Sequence, residues 1–317
     1  MNNSILKNLG PGTQLLFLIL IAFFTLFLMQ ITAFLVIRPL WGVNIFESID
    51  EISKLETSES VHITKVIQVF YQIGMFLLPA LVFKKLFGDS DKPFFILQKN
   101  IASSFWIQVA VFFLVAFPLI NFLHYLNMQI PFSNDLISED EESKNMLMKL
   151  LGGDSFGFLL VNIFVYAVVP AVVEEYFFRG IILRQIALAS KNVHVAVFVS
   201  AALFSFIHGE ATVFIPRFLM GAALGYMLVW SGNLMVCMLA HFVNNLLSII
   251  LIHLVLTDKL DAKYDMLGAN EGDIPVAGIS IALTAVILYF MYQKRNAVYS
   301  DFVSEEITKQ KQTNTEE

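Results

Sequence analysis

Eight apolar stretches, at about residues 15–37, 65–83, 102–126, 157–178, 193–208, 213–230, 233–256 and 274–292, alternate with polar connections along the chain. Each approaches the ~20 residues that a helix needs to cross a ~30 Å hydrocarbon layer. A soluble helix confines its apolar residues to one stripe, whereas lipid accepts them on every face. The pattern predicts an all-α fold, a polytopic membrane bundle of about eight transmembrane helices. Beyond the fourth stretch no residue but Gly180 interrupts a helical reading before about Ser190, so that helix is expected to run on through Arg179 and Arg184 and to project past the lipid.

The first stretch exceeds the apolar region of a signal peptide and has no small-x-small site before Arg38-Pro39, so it reads as a retained helix. Lys7, Lys84, Lys85, Lys92, Lys99, Arg184, Lys191, Lys294, Arg295, Lys309 and Lys311 fall on one side of the predicted topology. The other side holds Arg38, Lys54, Lys65, Lys144, Lys149, Arg217, Lys259 and Lys263, diluted by Glu139, Asp140, Glu141 and Glu142. This bias favours both termini in the cytoplasm, with the plasma membrane as the expected location. The Asn2-Asn3-Ser4 tripeptide fits a glycosylation pattern but then lies on the wrong side for it.

Composition agrees with lipid as the main solvent: 57% of the 317 residues are hydrophobic and 15% charged, with a mean hydropathy of +0.71. The single Cys237 excludes a disulfide framework or a CxxC metal site. No basic surface points to nucleic acid; the expected partners are membrane lipids and a membrane-associated protein or peptide. The chain divides into residues 1–155, three helices and an acidic loop with few polar side chains in the membrane; 156–256, the helical core that carries the chemistry; 257–295, the last loop and helix; and 296–317, a polar tail expected to be disordered.

Within the core, Pro170-Ala171-Val172-Val173-Glu174-Glu175-Tyr176-Phe177-Phe178-Arg179-Gly180 sets two adjacent carboxylates in an apolar helix. An ionisable group there costs ~2.5–3.5 kcal/mol even on lenient scales, so such groups face a bundle interior or a wet cavity. Glu175 and Arg179 are spaced i,i+4 and can pair on one face. Glu174 is left without a partner on its own helix. Pro170 frees the carbonyl of Tyr166, so a bend is expected beside the pair.

The fifth stretch ends Phe204-Ser205-Phe206-Ile207-His208-Gly209, and Lys191 lies midway between Glu174 and His208 in the sequence. An antiparallel hairpin turning near Lys191-Asn192 brings both to one height, ~25 Å from its tip. His241 and Asn245, also i,i+4, reach that height from the seventh stretch if the hairpin protrudes ~12 Å beyond the turn at Ser231-Gly232-Asn233. Glu174 and His208 can then hold and deprotonate a water while His241 and Asn245 donate hydrogen bonds to an oxyanion. Glu174, His208 and His241 also make a plausible zinc triad, so Zn2+ is possible though not required. The sequence leaves these two uses open, and a helix rotated from this pose would exchange Glu174 for Glu175 as the base.

Glu174-Glu175-x-x-x-Arg179 before Gly180, Phe204-x-x-x-His208 and His241-x-x-x-Asn245 resemble, in order and spacing, the three motifs of the CPBP intramembrane proteases. That family includes type II CAAX prenyl endopeptidases and proteins similar to lysostaphin resistance protein A. The resemblance covers roughly residues 155–250. It implies a peptide bond hydrolysed in a membrane-associated, CAAX-like, lipidated substrate. Glu174 would be the general base, His208 its partner at the water, His241 with Asn245 the oxyanion pair, and Glu175 with Arg179 their support. Members are described as glutamate-dependent and as metalloproteases.

Against this stands a non-proteolytic protein, a proton-coupled transporter or a bacteriocin-immunity scaffold, in which the same charges only lock the bundle or carry protons. The ionisable groups gather at one height instead of forming a path across the bilayer, which favours the hydrolase. Glu210 is expected as a solvated lip residue, and His62, His124, His194 and His253 as packing or interface contacts. Asn244 sits ~100° around the helix from Asn245, which is preferred. Asn162 and Tyr166, one turn apart, could line the cavity but are read first as interhelical hydrogen bonders. Met146 to Leu151 suggests a short interfacial helix.

Overall fold

The computed structural model describes residue 6 and residues 9–45, 47–88 and 94–316. Lys7, Lys92 and Asn2-Asn3-Ser4 lie outside the described residues. The elements are helices α1 (Pro11–Trp41), α2 (Ile49–Lys54), α3 (Ser58–Phe87), α4 (Ser103–Asn127), α5 (Asn134–Leu151), α6 (Phe156–Ser190), α7 (Val193–Phe206), α8 (Phe214–Ser231), α9 (Leu234–Leu256), α10 (Ala262–Asp265), α11 (Ile274–Gln293) and α12 (Val298–Glu316). No β-strand occurs among the described residues, only an isolated bridge between Leu97 and Asn233.

Among the described residues, seven helices are long and apolar enough to cross a membrane: α1, α3, α4, α6, α8 with the short turn before it, α9, and α11 with the turn before it. The protein is an all-α polytopic membrane bundle. α7 occupies the fifth apolar stretch but has 14 residues, ~21 Å of helix, less than the ~30 Å of hydrocarbon. The outward faces of α1 (Leu20, Phe23, Phe24, Phe27) and α11 (Ile279, Val286, Phe290) are exposed and apolar, as lipid contact requires.

Two long helices widen where proline follows. In α3 the turn Ile73–Leu77 precedes Pro79, and in α6 the turn Phe164–Val168 precedes Pro170; both are π-helical. Proline donates no N–H and its ring crowds the preceding turn, so the ladder shifts to i→i−5 bonds, as from Val169 N–H to the Phe164 carbonyl. In α3 the released register exposes the Gly74 carbonyl, which accepts from the Thr25 hydroxyl of α1 at 2.7 Å.

The α6–α7 turn forms where the hairpin count put it. Lys191 takes the left-handed conformation (φ 55°), and the Asn192 side chain accepts from the His194 and Val195 N–H groups to start α7. Small residues then bring α7 and α8 together. A Cβ added at Gly221 would stand 3.2 Å from Ala201 Cα and Cβ, and one at Gly225 3.1 Å from Val197. Gly221 and Gly225 are four apart, the spacing that lets two helix backbones approach in lipid.

Two expectations change. Within the polar tail α12 runs Val298–Glu316, burying Tyr299 and Val303 against the core with Phe302 and Ile307 beside them, and Arg184 pairs with Glu306 at 3.0 Å. These positions have helical spacing, and that stripe outweighs the polarity of the segment. The short interfacial helix is instead the 18-residue α5. Its Ser133 cap accepts from Leu136 N–H, its Asp140 side chain accepts from Thr212 N–H, and Leu150 and Leu151 are buried.

Replacing Gly221 by Val should separate α7 from α8 and destabilise the protein by ~1–3 kcal/mol, seen as a lower thermal midpoint in detergent. Gly157→Ala, where an added Cβ meets nothing within 4 Å, should leave the midpoint unchanged; equal effects would remove the close-approach argument.

Candidate active site

Tyr166, Pro170 and Glu174, four residues apart on α6, line one side of a cavity of about 490 Å3. His208 follows the end of α7, and His241 and Asn245 share a face of α9; all three line the same cavity. Three helices thus deliver Glu174, His208, His241 and Asn245 to one space. α3 closes it with Gln68 and Gln72, and α4 with Asn121 and His124.

Glu175 and Arg179 turn away from the cavity and tie four helices together. The Arg179 guanidinium donates to Glu175 Oε1 at 2.8 Å and to the Gly221 carbonyl of α8 at 3.0 Å, and it lies 4.7 Å from the centre of the Phe204 ring. His241 Nδ1 donates to the same Glu175 oxygen at 2.9 Å. Glu175 and Arg179 are 0% and 1% exposed. At that burial a charge is tolerable only when paired and hydrogen-bonded.

This anchoring sets the other edge of the His241 ring. With Nδ1 carrying the proton toward Glu175, the neutral imidazole presents Nε2 as an acceptor. Nε2 stands 4.0 Å from Glu174 Oε2. Glu174 Oε1 accepts from the Gln72 side-chain amide at 3.0 Å, while Oε2 is buried with no partner in the protein. Two acceptors make no direct bond with each other, but a water ~2.8 Å from each can donate one hydrogen bond to each at an angle near ~90°.

The pairing differs from the expected one: the histidine that approaches Glu174 is His241. His208 Nδ1 donates to the Phe204 carbonyl of its own helix at 2.7 Å, and His208 has no carboxylate within the 4.0 Å of an ion pair among the described residues. Its Nε2 is the nitrogen left for the cavity. Asn245 also has a prior engagement. Its amide donates to the Tyr166 carbonyl, the one released by Pro170, at 3.2 Å, and its oxygen accepts from Asn244 at 3.1 Å. A primary amide has two N–H groups, so Asn245 retains one.

The zinc donors that the sequence suggests, Glu174, His208 and His241, line one cavity. No group of three His, Cys, Asp or Glu side chains close enough to hold a metal ion occurs among the described residues. Glu175 holds Nδ1 of His241 and the Phe204 carbonyl Nδ1 of His208, which leaves Nε2 of each ring as its open nitrogen.

Residues 156–247 match the family model described as type II CAAX prenyl endopeptidase Rce1-like. That is the family to which the order of the three motifs pointed, and the match begins and ends on the helices that build the cavity. The match supports, in general, a CAAX-type intramembrane endopeptidase, acting on a membrane-associated protein. None of the curated proteins and none of the solved structures matches the chain.

Several residues that form the site carried little signal in the sequence. Gln72 and Gln68, i,i+4 in an apolar helix, were the available hint on α3. His124 lines the cavity instead of only packing, and Tyr166 lines it as well. Asn162 does donate across helices, to the Leu151 carbonyl at 3.0 Å. His194 meets the Tyr226 hydroxyl at 2.9 Å on the surface. Glu210 pairs with Arg217, which itself lines the cavity.

Arg179→Leu should strand the Glu175 carboxylate and cost ~3–5 kcal/mol. Asn245→Ala, which unpairs the Tyr166 carbonyl, should cost ~1–3 kcal/mol. Thermal unfolding in detergent ranks the two; an Arg179→Leu protein as stable as wild type would contradict the structural role of the ion pair.

Proposed function

We propose that this protein is a glutamate-dependent intramembrane endopeptidase that cleaves a membrane-associated, CAAX-like, lipidated protein with a water held between Glu174 and His241. The observation that carries this reading is the 4.0 Å gap between an unpartnered, buried carboxylate oxygen and an imidazole nitrogen, opening on a cavity.

The water donates one hydrogen bond to Glu174 Oε2 and one to His241 Nε2, which leaves a lone pair free to attack a peptide carbonyl. As the new C–O bond forms, the water's proton passes to Glu174 Oε2. The carbonyl becomes an oxyanion, and the donor available for it on the cavity wall is the second N–H of Asn245. Collapse of the tetrahedral intermediate breaks the C–N bond, and Glu174 returns its proton to the leaving amine. His241 thereby takes the task first expected of His208, because Glu175 holds it beside Glu174.

Gln72 holds Glu174 in place through Oε1, so that Oε2 is the oxygen that meets water. Glu175 and Arg179 act through position: they fix the His241 ring and join α6 to α8. The apolar lining from Phe117, Ile120, Leu147, Met220 and Ile252 suits hydrophobic residues next to the cut bond. The volume of about 490 Å3 lies within the ~300–1,000 Å3 typical of ligand pockets. The lysine and arginine bias supports cytoplasmic termini in a plasma membrane.

The test is hydrolysis of a lipidated CAAX-like peptide by protein in lipid vesicles. Glu174→Gln should lower kcat by ~10²–10⁴ while the thermal midpoint is kept, and His241→Ala should lower kcat by a similar factor in protein that remains folded. Wild-type activity should persist in strong chelator with no metal bound. Full activity in folded Glu174→Gln, or activity lost to chelator and restored by zinc, would contradict the proposal.

A further inference from the structure

The hydrolytic reading leaves one cationic side chain of the cavity unused. Arg217, on α8, lines the cavity and is largely buried, with 19% of its side chain exposed. One terminal nitrogen donates to Glu210. The other, NH1, is buried without any partner in the protein.

A guanidinium presents its N–H groups as a planar fork that fits the two oxygens of a carboxylate. Glu210 engages one arm of this fork and so orients the group; it leaves the second arm unanswered. An unpaired cationic N–H shielded from solvent is costly, and the acceptor that would relieve it must come from whatever fills the cavity. The cavity's own carboxylate does not serve, since Glu174 is engaged by Gln72 and faces His241.

The position along α8 gives the scale. Gly221, whose carbonyl receives Arg179, stands at the level of the Glu175–Arg179 cluster. Arg217 lies four residues earlier on the same helix, an axial offset of ~6 Å. An extended peptide covers ~3.3–3.6 Å per residue, so this offset corresponds to about two residues of substrate.

We propose that Arg217 binds the C-terminal carboxylate of the substrate and thereby sets the cleaved bond a few residues from the chain end. This rests on the endopeptidase reading and adds to it the feature that selects the substrate. An acidic side chain near the end of the substrate offers the same chemistry, and the experiment separates the two sources.

Three matched peptides are compared in lipid vesicles with the full-length protein: one with a free C-terminal carboxylate, one with a C-terminal amide, and an amide carrying Glu as its last residue. Wild type should cleave the free acid at least ~10-fold better than the plain amide in kcat/KM, chiefly through KM, as expected for one lost charge-assisted bond. Arg217→Gln should lose that preference, its kcat/KM falling at least ~10-fold more for the free acid than for the amide, and Arg217→Lys should restore part of it. Equal cleavage of acid and amide by wild type, which needs no variant to fold, would overturn the proposal. So would equal loss on both substrates in Arg217→Gln. Rescue of the amide by the Glu residue to the rate of the free acid would assign Arg217 to acidic side chains and overturn the terminal-carboxylate assignment. Cleavage of none of the three by wild type would instead overturn the endopeptidase reading on which this one stands.

Discussion

Everything at the site depends on how one guanidinium is shared inside an apolar bundle. Arg179 answers Glu175 on its own helix, binds the Gly221 carbonyl of α8, and lies over the Phe204 ring of α7. Glu175 in turn fixes His241 of α9. Four helices are therefore pinned by a single cluster in which each charge has a partner. The cost of burying Glu175 and Arg179 is tolerable because they are buried together. The consequence is positional: with Nδ1 of His241 committed to Glu175, its other nitrogen has a defined direction, toward Glu174.

A second constraint comes from Pro170. Its missing N–H follows a π-helical turn and leaves the Tyr166 carbonyl without its usual i+4 donor, and the Asn245 amide caps it. The cap joins α6 to α9 one turn of helix from the pinned histidine, so the two helices are held at two points. A proline therefore acts here as a docking site, by offering an acceptor that an unbroken helix would have kept for itself. The glycines of α8 complete the frame by letting α7 approach closely enough for Phe204 to stack on Arg179 and for His208 to reach the cavity.

Much of this was legible in the sequence, for a physical reason. Lipid-length apolar runs leave few alternatives to helices, and a carboxylate or histidine inside one is expensive enough to demand an explanation. Counting residues from Lys191 put Glu174 and His208 at a common height, and both line one cavity. Counting gives height but not the rotation of a helix about its axis. This is why the sequence could not say that His241, and not His208, would stand beside Glu174. Gln72, His124 and Arg217 were less visible still, because an amide or a lone cation near a helix end is usually ordinary packing. α12 was missed for a different reason: Tyr299, Phe302 and Val303 have helical spacing, but the surrounding polar residues masked a stripe only a few positions long.

The central claim is that a single water occupies the gap between Glu174 Oε2 and His241 Nε2. The most direct measurement is an experimental structure of the protein in lipid at a resolution that reveals ordered water. The account predicts density within hydrogen-bond distance of both atoms, ~2.8 Å from each, with the Glu175–His241 bond intact. Density bridging Glu174 and His208 instead, or a His241 ring turned away from Glu175, would contradict it.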